Sequence, residues 1–202
     1  AIALEPHNAQ HHHRLGRVLQ NNLLEGTVEE AIERYRQATR LNPRSSSYWM
    51  DLASAYEEAG NPTEARQAFA KAKANYPLSA EVAWRHGNFL LRQGELRLGF
   101  SEIRRAIVVD PGLTQPAVSV CWRFGAGAER ILEEVMPPES LYYLVALRYF
   151  VSQREIGAAL SAWEKLLTLH QPLDLPQAFP LVERLIQASR MDEAEEVWQQ
   201  AC

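Results

Sequence analysis

"YWMDLASAYEEAGNPTEARQAFAKAKANYP", residues 48–77, decides how the rest of the chain reads. Trp49, Leu52, Ala53 and Tyr56 recur at spacings of three and four, which puts them on one face of a helix. After an interruption, Ala65, Phe69 and Ala72 repeat that spacing. The interruption is Gly60, Asn61 and Pro62. Glycine suits the left-handed residue that ends a helix, and proline suits the first turn of the next. The stretch therefore predicts two antiparallel helices joined by a tight turn. Ala53, Ala65 and Ala72 are small enough to let the helices approach, while Trp49, Tyr56 and Phe69 fill the gaps between neighbours. Neither helix can bury its stripe alone, but a stack of such pairs can.

The closing proline recurs. Pro43, Pro77 and Pro111 are 34 residues apart, twice running, and each follows a helix-like segment. Pro6 ends a similar phrase 37 residues before Pro43, with the three extra residues falling in "NNLLEGTVEEA". A fixed period of this size marks a repeat array. The arrangement W-x-x-L-A-x-x-Y, then A-x-x-x-F, then Ala and a closing Pro resembles the tetratricopeptide repeat, with Ala53 where glycine is common. A first unit matches through Leu15, Gly16, Leu19, Ala31, Tyr35, Ala38 and Pro43. A third matches through Gly87, Leu90, Gly94, Ile103, Ala106 and Pro111, with Gly99 in place of the small alanine. Glycine inside a helix costs about 1 kcal/mol, so tight packing is expected at Gly99.

The fourth unit, "TQPAVSVCWRFGAGAERILEEVMP", is shorter: Pro111 to Pro137 is 26 residues, eight fewer than 34. "GAG" at 125–127 predicts a truncated first helix and a sharp turn. A fifth unit resumes with Ala159, Trp163 and Leu166 in its second helix, and a sixth has Ala194, Trp198 and Ala201. The expected organisation is repeats one to three over 1–113, with the end of a preceding repeat at 1–8. A short degenerate repeat at 114–139 follows, as a candidate kink or boundary, and then repeats five and six over 140–202. Both ends of the sequence read as interrupted helices, as in a piece of a longer protein. The resemblance implies an all-α, right-handed superhelical solenoid of about six antiparallel helical hairpins.

Composition narrows the function. The 202 residues are 47% apolar and 23% charged, with a net charge of −4, which disfavours a general nucleic-acid binder. No run of 18 apolar residues predicts a membrane span. Composition does not separate a cytoplasmic from a periplasmic location. Cys121 and Cys202 are too far apart for a metal motif or disulfide framework and read as plain thiols. His11, His12 and His13 are consecutive and point three ways, whereas helical metal ligands share a face at i, i+4. His7 and His11 have that spacing, but His7 follows Pro6, before the helix begins. Neither metal nor cofactor is expected. The sequence has no glycine-rich phosphate loop, no G-x-S-x-G and no H-E-x-x-H, and its paired acids read as solvated helix faces. No enzymatic activity is expected.

Binding is the expected work. In such stacks the first helices of the pairs line a concave surface. Its residues would be His13, Arg14, Arg17, Gln20 and Asn21 in unit one, and Ser47, Met50, Asp51, Ser54 and Glu58 in unit two. Units three and four would add Trp84, Arg85, Asn88 and Arg92, then Ser119, Trp122 and Arg123. Arg85, Asn88 and Arg92 share a helix face, and arginine forks suit carboxylates. They are suited either to grip an extended acidic peptide or to pair with Asp51, Glu57, Glu58 or Glu81 of the neighbourhood. Some members of the resembled family hold a partner's C-terminal carboxylate with a Lys and Asn set. The corresponding positions here hold His13, Arg17 and Asp51, which does not support that clamp.

In the fifth unit the groove side is apolar: Leu141, Leu144, Val145 and Val151, around Arg148. The sixth has Phe179, Pro180, Glu183 and Ile186. Either a partner, a second copy or another segment covers this surface, or the helix register is off by one and these residues are core. The resulting expectation is a protein-interaction scaffold. The alternatives are a homo-oligomerisation module or a regulatory appendage of a larger enzyme or membrane-associated machine.

Overall fold

The computed structural model describes residues 5, 7–21, 27–171 and 175–201, and every regular element among them is helical. Pro6 and Cys202 lie outside the described residues, as do most of "NNLLEG". The chain divides into two compact units, Ala1–Gly94 and Glu95–Cys202.

The first unit holds α1 (Ala9–Asn21), α2 (Val28–Leu41), α3 (Ser46–Glu58), α4 (Pro62–Asn75) and α5 (Ala80–Arg92). Local chemistry sets the boundaries. Thr27 opens α2 with a capping box: Glu30 N donates to Thr27 Oγ1, and Thr27 N donates to Glu30 Oε2. Pro62 begins α4 after Gly60, which sits at φ +74° as the left-handed turn requires. Helix α1 pairs with α2, and α3 with α4. Helices α1, α3 and α5 adjoin one another in a row. Ala31, Tyr35, Leu52, Ala53, Ala65 and Phe69 form the shared core. Met50, expected on the groove side, is instead 3% exposed and packs with Ala72 and Val82. On the inside of its turn, an unbranched apolar side chain gains more from the core than from water.

Gly16 shows why one position of the repeat favours glycine. A Cβ added there would lie 2.8 Å from both Cδ1 and Cε1 of Tyr35. The Tyr35 ring cannot step aside, being buried with its hydroxyl donating to Gln20 Oε1 at 2.8 Å. Gly16→Ala should gain about 1 kcal/mol of helix propensity and lose about 1–3 kcal/mol to overpacking. The expected net is a loss of about 1 kcal/mol, seen as a lower urea midpoint at unchanged slope.

The second unit holds α6 (Leu96–Val109), a 3₁₀ turn (Pro111–Leu113), α7 (Thr114–Arg123) and α8 (Ala128–Arg130), which continues as a π-helical turn over Ile131–Val135. Helices α9 (Ser140–Ser152), α10 (Ile156–Leu167), α11 (Leu175–Gln187) and α12 (Met191–Gln200) follow as two hairpins. Helix α7 is three residues shorter than the 13 of α9, and Gly125, at φ +76°, turns the chain after it. Gly99 is buried in α6. Arg154 and Ser189 hold positive φ after α9 and α11, where earlier turns use Gly60 and Gly94. Ala159, Trp163 and Leu166 are buried in α10 as expected. In α12 the expected Ala194 is buried, as is Ala201 just after the helix, but Trp198 is 41% exposed and the neighbouring Val197 is buried instead. Cys121 is a buried free thiol whose pKa burial pushes up to about 12, an inert form.

Candidate functional site

The face built by α1, α3 and α5 concentrates polar side chains in the first unit. Its centre is Asp51. Arg85 Nη2 donates to Asp51 Oδ1 at 2.8 Å, to Ser54 Oγ at 2.9 Å and to the Met50 carbonyl at 3.2 Å. On the other side, His13 Nε2 lies 2.8 Å from Asp51 Oδ2, with the ring as donor because a carboxylate only accepts. The imidazole stacks on Tyr48 at a centroid distance of 4.4 Å. Asp51 thus ties the three helices of the row together. Burial works to raise its carboxyl. The His13 hydrogen bond and the charge and hydrogen bond of Arg85 outweigh burial and hold the carboxyl below its ordinary 3.8.

A pH dependence follows. The folded carboxyl binds its proton more weakly than the unfolded one. The stabilisation is therefore complete above the unfolded value and disappears as pH falls through the folded value. Asp51→Asn should cost about 1–3 kcal/mol at neutral pH, because it leaves Arg85 and His13 without their charged acceptor. The gap between variant and wild type should close as pH is lowered below the ordinary carboxylate range, through the depressed folded value. Urea titrations at a series of pH values measure it, and a constant gap would contradict the pairing.

Beside Asp51 lies a cleft of about 230 Å³, lined by Ser54, Phe69, Trp84, Arg85, Asn88 and Arg92. Four of the expected peptide-contacting residues, Trp84, Arg85, Asn88 and Arg92, are thus brought together. Both arginines are already engaged by acids among those weighed from the sequence. Arg92 makes a two-pronged pair with Glu57, Nε to Oε1 at 2.6 Å and Nη2 to Oε2 at 2.8 Å, and Arg85 also lies 3.7 Å from Glu81. Asn88 Nδ2 donates to the Trp84 carbonyl at 2.8 Å, so its Oδ1 remains an acceptor. Phe69 was read only as core, yet its ring stacks on His86 at 5.2 Å and forms the cleft floor. The stacking of Tyr48 on His13 also escaped the sequence reading, although Tyr48 and Asp51 share a helix face at i, i+3.

The other expected contact residues lie elsewhere. Arg14 and Arg17 are exposed and line a separate, open cleft of about 430 Å³ with Val18 and Asn21. Trp122 belongs to the second unit, where its ring packs against Phe150 at 5.2 Å. On α9, Leu141 is 51% exposed and Leu144, Val145 and Val151 are half-buried, while Tyr142, Tyr143, Ala146, Leu147 and Phe150 form the core. Among the described residues, no three His, Cys, Asp or Glu side chains converge as metal ligands do. None of the described helices is long and apolar enough to cross a membrane.

Comparison with known proteins agrees with this architecture. Residues 25–80 match the tetratricopeptide repeat family. No curated protein sequence matches the chain. Among solved structures, YrrB, described as a TPR protein with an unusual peptide-binding site, aligns with a TM-score of 0.52 at 14% identity. The alignment covers 99% of this chain and 88% of that one. The APC/C hetero-tetramer Cut9–Hcn1 aligns with a TM-score of 0.55 at 13% identity, over 99% of this chain and 41% of that chain. MamA aligns at 0.49 and 17% identity, over 96% and 89%. At these identities the likeness is one of fold alone.

Proposed function

We propose that this tetratricopeptide-repeat chain is a non-catalytic scaffold that holds an extended segment of another protein against the α1–α3–α5 face. The observation that carries the reading is the cleft over Phe69. It combines an aromatic wall, Trp84, with an amide acceptor, Asn88, and with guanidinium donors that Asp51 and Glu57 do not use up. An extended peptide offers backbone N–H and C=O groups to such a set, and one side chain to the partly exposed Trp84 wall. Asp51 and Glu57 already offset the arginines, so backbone and apolar contacts lead and a ligand carboxylate is secondary. A randomised peptide library selected on the wild-type chain tests this. Trp84→Ala with Asn88→Ala should weaken the selected extended peptides by about tenfold or more. Peptide binding unaffected by that pair would remove the cleft from the reading.

A second reading, self-association, rests on α9 and α11 of the second unit, where Leu141, Phe179 and Ile186 are exposed. Leu141→Glu should then convert an oligomer to a monomer in light scattering, and a wild-type monomer at high concentration excludes it.

A further inference from the structure

The first unit carries another cleft, on a different side of α3. Trp49, Leu52 and Tyr56 lie about half a turn around that helix from Asp51, Ser54 and Glu58. There they floor a groove of about 370 Å³ whose walls come from α2 and α4. We propose that this outer groove docks an acidic segment of a partner protein, with one apolar side chain on the Trp49–Tyr56 floor and carboxylates on Arg36, Arg40 and Lys71.

The argument is one of charge and shape. The charged residues lining the groove are these three cations and one acid, Glu64. In the inner cleft, by contrast, Arg85 and Arg92 each have a carboxylate within 2.8 Å. Here Arg36 has only Glu33 of its own helix, at 3.9 Å with both side chains half exposed. Arg40 and Lys71 make no ion pair with a described residue. Arg36 and Arg40 are one turn apart and repel each other. Arg40 gains something from its place in the last turn of α2, but Arg36 and Lys71 have no such role. Helices α2 and α4 hold equivalent places in their repeats, Ala31 in one matching Ala65 in the other, and Lys71 corresponds to Gln37 in that alignment. A chain of net charge −4 thus gathers three cations around an apolar floor, two of them without an ion-pair partner among the described residues and the third held only loosely.

The floor is held ready. The indole of Trp49 donates to the Pro43 carbonyl at 2.8 Å, and Asn75 Nδ2 donates to the same oxygen at 2.7 Å. From Glu64 to Lys71 the groove runs about two helical turns, roughly 10 Å. That accommodates about three residues of an extended strand, the size of one anchor with flanking acids.

The same randomised library tests the proposal, independently of the inner face. Among peptides selected on the wild-type chain, a class should be lost on an Arg36→Glu, Lys71→Glu variant. That class should carry acidic residues flanking one apolar residue. Its affinity should fall about tenfold or more on the variant and weaken with added salt. Amide NMR should show shifts at Thr39, Gln67 and the Trp49 indole N–H. Both substitutions are at exposed positions, so circular dichroism of the variant should match the wild type. Trp84→Ala with Asn88→Ala should leave this class unchanged. The proposal is overturned if no selected peptide depends on Arg36 and Lys71, or if those that do lack acidic residues. It is also overturned if an oligonucleotide probe, rather than a peptide, shows that dependence.

Discussion

Phe69→Ala is expected to cost about 3–5 kcal/mol of folding stability. The ring is 1% exposed, stacks on His86 and meets Phe89 at a centroid distance of 5.2 Å. It therefore joins α4 to α5 where the cleft floor lies. Alanine removes most of the side chain and leaves a void that the surrounding Ala65, Ala68 and Ala72 are too small to fill. For a unit of this size, the melting temperature should fall by on the order of 15 °C or more. Phe69→Leu keeps most of the volume and should cost less than about 1.5 kcal/mol, while still removing the flat ring under the inner cleft. The pair separates folding from binding: the leucine variant should be nearly as stable as wild type and yet lose affinity for inner-face peptides. A Phe69→Ala protein as stable as wild type would contradict the packing described for the first unit.

The second large effect belongs to the other unit. Trp163→Ala should also cost about 3–5 kcal/mol. Trp163 is 2% exposed on α10, and its indole donates to Gln200 Oε1 at 2.7 Å, tying α10 to the end of α12. Trp163→Phe isolates the hydrogen bond from much of the packing and should recover most of the loss, leaving about 1 kcal/mol for the missing donor together with a volume penalty. Gln200→Ala should reproduce only the hydrogen-bond part. Chemical denaturation of the three variants checks the ordering, and equal losses in Trp163→Ala and Trp163→Phe would contradict it.

Trp163 and Trp198 also show how far the sequence reading could reach. Both occupy the second helix of a repeat, and both were expected in the core. One is nearly sealed and the other is 41% exposed, because burial depends on which helices surround a position and not on its place in the period. Where the signals were local, the reading held. Gly60 with Pro62, the alanines at 53, 65 and 72, and the short α7 were legible because turns, close approach and helix length are set by neighbours in the chain. The inner cleft was half legible. Spacing put Arg85, Asn88 and Arg92 on one face and named Asp51 and Glu57 among their candidate partners. Which acid each arginine takes depends on the offset between hairpins, which no spacing encodes. The outer groove left no sequence signal, because Arg36, Trp49 and Lys71 come from three helices. Trp49 and Tyr56 read only as gap-filling residues, although each keeps a half-exposed edge. The π-helical turn at Ile131–Val135 likewise carries no mark in a sequence that reads as ordinary helix.

The pairing of Arg85 with Asp51 and of Arg92 with Glu57 has a kinetic consequence. Two opposite charges held about 3 Å apart cast almost no field beyond a Debye length. These two pairs therefore neither draw in nor turn a molecule that diffuses toward their cleft. They should add little to its capture rate or to the dependence of that rate on ionic strength. How long it stays then depends on desolvated short-range contacts, so variation among ligands of that cleft should appear in their release rates.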